Sequence, residues 1–218
     1  MSKTANVIGA TGLVGRELVN QLLQNPEIEK VRIFVRREFN ALHPKLEQHI
    51  VDFDNDASWK PFLGGDILFS TMGTTLKQAG SKANQYKIDY TYQYRFAEEA
   101  SLAGIPVYVL VSSAGASSKS MIFYSRIKGE LDDAVQKLPF QKVIILRPSI
   151  LAGIREKRRT VEEQSTRVMG LISKFLFKKY RPVPAATVAK AMIRGALGES
   201  TVKHSIVNPE EVFTLAGD

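Results

Sequence analysis

The chain has 218 residues, 44% hydrophobic and 24% charged, an ordinary composition for a folded domain with a sizeable core. It contains no cysteine, so disulfides and thiolate metal sites are excluded, which fits a reducing compartment. The formal net charge of +8 is concentrated: residues 141–181 carry 11 Lys and Arg against 3 acidic residues, and the rest of the chain balances.

In chain order, residues 3–9 read as a first buried strand. Leu13 to Gln24 carries Leu13, Val14, Leu18, Val19, Leu22 and Leu23 at helical spacing, and Asn25-Pro26 stops that helix. Residues 31–35 are a second strand, Gln48 to Val51 a short third, and Asp66 to Thr71 a fourth entered through Gly64-Gly65. A long helix is predicted over Ala83–Ala103, closed by Gly104. Pro106–Ser113 is a fifth strand, Met121–Lys137 a helix ended by Pro139, and Val143–Arg147 a sixth strand. Helices over Val161–Phe177 and Ala185–Leu197 and a last strand over Ser205–Asn208 complete the reading.

Strands alternating with helices predict an α/β fold: a doubly wound, mostly parallel Rossmann sheet with helices on both faces. A small C-terminal elaboration, a lid over about 149–185, is expected within one domain spanning 1–218. No internal repeat, low-complexity tract or linker divides the chain. His43, His49 and His204 do not stand at metal-ligand spacing, so no metal site is expected. No segment is long and apolar enough to span a bilayer; the longest apolar run, Ile105–Val111, is strand-length and contains a proline. The start, Met1-Ser2-Lys3-Thr4, leads directly into a glycine motif and reads as a strand opening rather than a signal peptide, so a cytoplasmic protein is expected.

Gly9, Gly12 and Gly15, at x-x spacing, lie between the first strand and the first helix. Glycines at such a turn let the backbone approach a pyrophosphate, and the helix start supplies free N–H donors and a positive dipole end. An NAD site places Asp or Glu about 20 residues on, to hold the ribose hydroxyl. Here Arg36 and Arg37 stand at the end of the second strand, with Glu38 behind them. A guanidinium binds a 2′-phosphate that a carboxylate would repel, so NADP is the expected cofactor. Asp52 could hydrogen-bond an adenine amine or sit as a loop aspartate. Ser70 to Thr75 is a small-residue turn at a strand end, where ligands bind in such sheets.

Tyr124 and Lys128 stand four apart on one helix face. The ammonium favours the phenolate, so the tyrosine can act as acid or base on a carbonyl or alcohol. Ser112 and Ser113 close the fifth strand, where a hydroxyl could donate to an oxyanion. The bland alternative is a core tyrosine and a solvated lysine.

The combination Gly9-x-x-Gly12-x-x-Gly15, Ser112-Ser113 and Tyr124-x-x-x-Lys128 resembles the short-chain dehydrogenase/reductases. Ser70-Thr-Met-Gly-Thr-Thr, Tyr86-Lys-Ile-Asp-Tyr, Leu110-Val-Ser-Ser-Ala-Gly-Ala and Arg147-Pro-Ser-Ile-Leu are similar to the Tat-interacting-protein type of atypical oxidoreductase, over nearly the whole chain. The resemblance implies NADPH binding, Tyr124 as proton donor or acceptor, and Lys128 orienting the nicotinamide ribose. It implies Ser113 as the catalytic serine, with Ser112 the alternative. It further implies Thr11, Leu13 and Val14 along the phosphates, Arg36 and Arg37 at the 2′-phosphate, and Met72 and Gly73 along the cofactor. Leu151 and Arg155 or Arg158 would close the nicotinamide side. Members that act on nucleotide sugars carry a large C-terminal substrate domain, for which 218 residues leave little room.

The basic stretch allows three readings: a lid facing an anionic ligand, a surface for an acidic partner or membrane over 155–181, or an amphipathic helix burying Leu171, Ile172, Phe175 and Leu176. No nucleic-acid module is present, so no nucleic-acid partner is expected. Two functions follow: an NADPH-dependent oxidoreductase on a small carbonyl or alcohol, or a non-catalytic NADP(H) sensor that regulates a partner. A flavin-type reductase would share the glycine turn without needing the Tyr-Lys pair.

Overall fold

The structure, a computed structural model, describes residues 2–152, 182–199 and 202–218. Six parallel strands come first: β1 (Lys3–Ile8), β2 (Ile28–Val35), β3 (Leu46–Ile50), β4 (Ile67–Ser70), β5 (Val107–Val111) and β6 (Lys142–Leu146). β7 (Leu151–Ala152) and β8 (Val183–Pro184) form a separate parallel pair. β9 (His204–Val207) then adds in parallel beside β6. The main sheet has the order β3-β2-β1-β4-β5-β6-β9, so the strand order reverses between β1 and β4. Ligands in open α/β sheets bind outside the carboxyl ends of the strands at such a reversal.

Side chains along the central strands alternate between two cores. In β5, Val109 and Val111 pack on one face with α1 (Leu13–Gln24), α6 (Ala185–Leu197) and α7 (Pro209–Ala216). Tyr108 and Leu110 pack on the other with α4 (Tyr92–Leu102) and α5 (Phe123–Val135). With both faces covered, the strands carry near-continuous apolar runs rather than an alternating pattern. The doubly wound parallel fold expected from the sequence is therefore the one observed.

The bounds of α1 and α6 match the sequence expectation. The long helix expected over Ala83–Ala103 does not form as one piece. After the short α2 (Leu76–Ala79), the chain runs through α3 (Lys82–Tyr86), a π-helical turn over Lys87–Thr91, and α4. Asp89 is fully buried in that turn. The Gln93 amide donates to the carbonyls of Asp89 at 2.9 Å and Ile88 at 3.3 Å, offsetting backbone bonding that the wider turn disturbs. Ser70 in turn donates to Gln93 at 2.7 Å, which ties the turn to the end of β4.

α7 is not among the expected elements, although its signal is local. Asn208 and Glu211 form a reciprocal capping box, and Pro209 occupies the first helical position. The helix expected over Val161–Phe177 and most of the expected lid lie outside the described residues. No helix among the described residues is long and apolar enough to cross a membrane.

Candidate active site

The site begins where β1 stops. Gly9 has φ +82°, and a Cβ there would fall 2.6 Å from the Met72 nitrogen in the turn after β4. Gly12 caps α1 without a side-chain bond, leaving the first amides of the helix directed into the crevice. A Cβ on Gly15 would stand 2.1 Å from the Gly9 carbonyl oxygen, so only glycine lets the helix seat against the turn. Thr71 anchors the facing loop: its amide and hydroxyl donate to the Ile8 carbonyl at 3.0 and 2.9 Å.

Two adjoining cavities follow the carboxyl ends of β1 and β4. One of about 340 Å³ is lined by Gly9, Thr11, Gly12, Arg36, Met72 and Gly73 among the expected residues, together with Phe34, Phe53, Gln78 and Ile88. The other, about 570 Å³, brings together Gly12, Leu13, Val14, Met72, Gly73, Tyr124, Lys128 and Leu151. Its outer wall is Leu76, Ile122 and Phe123, with Lys82 and Gln85. Gly15 sits beneath the turn rather than in either lining.

Three further expected residues are not brought into the cavities. Arg37 is exposed beyond Arg36. Asp52 accepts the Asp54 amide at 2.9 Å within its own turn, while Phe53 takes the place in the wall. Ser113 lies outside the lining, its hydroxyl donating to the Ala114 carbonyl at 3.3 Å; Ser112 lines the larger cavity instead. β5 ends at Val111, two residues short of the expected strand, which turns Ser112 inward with its amide on the Leu146 carbonyl at 2.7 Å. Arg155 and Arg158 lie outside the described residues.

Lys128 connects the larger cavity to a cluster of charged side chains behind its lining. Lys128 Nζ lies 3.2 Å from Asp89 Oδ1, and both side chains are buried. Arg147 holds Asp132 Oδ2 through Nε at 2.9 Å and Nη2 at 2.8 Å. Burial pushes the Asp89 carboxyl up, and the Lys128 charge and the Thr74 amide pull against it. Burial also pushes Asp132 up, against the pull of Ser112 and Arg147. The Ser112 hydroxyl faces Asp132 without closing a hydrogen bond of normal geometry. Burial opposes the Lys128 ammonium, but attraction from Asp89, Tyr124 and Asp132 carries it above the ordinary lysine range.

Asp89 escaped the sequence reading as a site residue. Its signal was there: Asp89, Gln93, Phe96, Ala97 and Ala100 form one buried helical stripe, and an acid on such a stripe needs a buried partner.

Residues 9–196 match the family described as NAD(P)H-binding. The chain belongs to that NAD(P)H-binding family. Its resemblance to the atypical short-chain dehydrogenase/reductases stands. The chain is 36% identical to "Protein fmp52-1, mitochondrial" of Aspergillus terreus, over 97% of this chain and 94% of that one. It is 32% identical to "Protein FMP52, mitochondrial" of Candida albicans, over 96% of each. Its fold is also that of a short-chain dehydrogenase/reductase superfamily protein from Agrobacterium tumefaciens with bound NAD, at TM-score 0.69, 14% identity, 94% of this chain and 77% of that one. Other solved structures of this fold, such as Bordetella bronchiseptica WbmH, are complexes with NAD+, and a nicotinamide cofactor is the group the glycine cradle fits. The cytoplasmic expectation is overturned, because the family relatives are named as mitochondrial proteins. A cysteine-free composition and an early first strand describe a fold, and neither encodes a compartment.

Proposed function

We propose that this protein is an NADP(H)-dependent oxidoreductase acting on a small carbonyl or alcohol. The observation that carries this reading is one cavity holding the start of α1, the Tyr124 phenol, the buried Lys128 ammonium and the Ser112 hydroxyl. The amides at the start of α1 would bind the pyrophosphate, with Gly9 and Gly15 allowing its close approach. When bound, the nicotinamide supplies or takes up the hydride. Tyr124 gives a proton to the carbonyl oxygen or takes one from the alcohol. Lys128 binds the neighbouring ribose and favours the phenolate. A serine hydroxyl donates to the same oxygen; Ser112 has the position in the cavity, and Ser113 has the family match.

The preference for NADP(H) rests on Arg36, just after β2 in the smaller cavity, where no carboxylate among the described residues lines the wall. Leu76, Ile122, Phe123 and Leu151 give the wall an apolar part that would take the hydrocarbon portion of the substrate, beside the polar Lys82 and Gln85. The names of the relatives favour a mitochondrial compartment, testable by cell fractionation. Tyr124→Phe is expected to bind NADPH as wild type does and to lose carbonyl reduction in a broad substrate screen. Full activity in that variant would defeat the assignment. Ser112→Ala and Ser113→Ala, measured side by side, identify the serine.

A further inference from the structure

We propose that Asp89 is the positioning residue of this site, fixing both the place and the charge of Lys128. The π-turn carries its carboxylate to a point where three elements meet. Asp89 Oδ1 pairs with Lys128 of α5 at 3.2 Å. Asp89 Oδ2 accepts the Thr74 amide at 3.1 Å, tying down the loop after β4 that lines both cavities. Gly73 borders the pair: a Cβ there would stand at ordinary contact distance, 3.5 Å from Asp89 Oδ1 and 3.9 Å from Lys128 Nζ. The ammonium has little else to hold it, since the Met72 carbonyl is 3.5 Å away.

An ammonium this buried keeps its proton only with a carboxylate against it. Among the described residues, the charged and titratable groups around it are Asp89 on the π-turn and Tyr124 and Asp132 on its own helix. Asp132 is already engaged by Arg147 of the loop after β6. Asp89 is therefore the group that neutralises Lys128. A continuous helix would rotate residue 89 away from this meeting point, which gives the π-turn its purpose.

The test uses thermal and urea unfolding of cofactor-free protein across pH. In Asp89→Asn, the folded-state pKa of Lys128 falls below its unfolded value. Stability relative to wild type is then lost as pH falls from about 10 toward 7, by up to tenfold in the folding constant per pH unit. Lys128→Met leaves Asp89 buried and unpaired, so its folded pKa rises further. That variant loses stability relative to wild type as pH rises from about 4 toward 7, the opposite sign. The double variant Asp89→Asn/Lys128→Met removes both slopes. Should Asp89→Asn fail to fold, the Lys128→Met slope alone decides. Losses independent of pH in both variants would overturn the proposal.

The positioning role rests on the oxidoreductase reading above and has its own readout. NADPH affinity of wild type is expected to be flat between pH 7 and 9. In Asp89→Asn it weakens about tenfold or more as the ammonium loses its proton, and Asp89→Glu restores most of it. Unchanged NADPH affinity in Asp89→Asn at every pH would also overturn the positioning role. If wild type binds no NADPH, the oxidoreductase reading fails while the opposed stability slopes still decide whether Asp89 holds Lys128.

Discussion

The two ends of this site are built in different ways. The glycine turn is made of backbone from one contiguous stretch, residues 9–15, and its geometry follows from atoms that glycine lacks. At the other end, Ser112 at the end of β5 and Lys128 of α5 line the larger cavity and are backed by Asp89 of the π-turn and by Arg147 after β6 paired with Asp132, held together by buried charge. A backbone cradle needs only the local chain to take the right path. A charged cluster needs the whole sheet assembled first, because no element of it can bury its ion alone.

The comparison can be broken at either end. The largest expected effect is Tyr124→Phe, which should lower the rate of carbonyl reduction by about 10³-fold in steady-state kinetics while leaving NADPH affinity unchanged. Gly15→Ala comes next: with the new methyl against the Gly9 carbonyl, stability should fall by about 3 kcal/mol in urea unfolding, with NADPH affinity falling alongside. A stable Gly15→Ala that binds NADPH normally would show that the turn yields more readily than its contacts indicate. Arg36→Asp should weaken NADPH by about 10- to 100-fold and leave NADH little changed, measured by parallel fluorescence titrations. If NADH binds wild type more tightly than NADPH, the preference assigned to Arg36 is wrong. The smallest effect is outside the site: Asn208→Ala opens the capping box of α7 and should cost about 1 kcal/mol in thermal unfolding.

Much of the molecule was legible residue by residue. α1 and α6 were bounded correctly because their apolar stripes follow the helical period and Pro26 and Gly198 mark their ends. The seven strands of the main sheet were placed within three residues at each end, while the two-residue β7 and β8 were not expected. The break in the helix near residue 89 was not, since propensity continues smoothly from Lys82 to Leu102 and the reason for the break lies across the site on α5. Ser112 and Ser113 are adjacent and chemically identical. Their order in the cavity depends on where β5 stops pairing with β6, a property of the sheet rather than of either serine.

The sequence by itself determined the parallel α/β fold, the glycine cradle and the presence of a phenol and an ammonium one helical turn apart. Those features are periodic or contiguous, and local physics is enough to read them. Only the tertiary structure decided which serine faces the larger cavity, that Arg36 rather than Arg37 reaches the wall of the smaller one, and that Asp89 meets Lys128. Each depends on groups far apart in the chain, whose distances no spacing rule contains, and on the cost of burying a charge that only a partner from another element can offset.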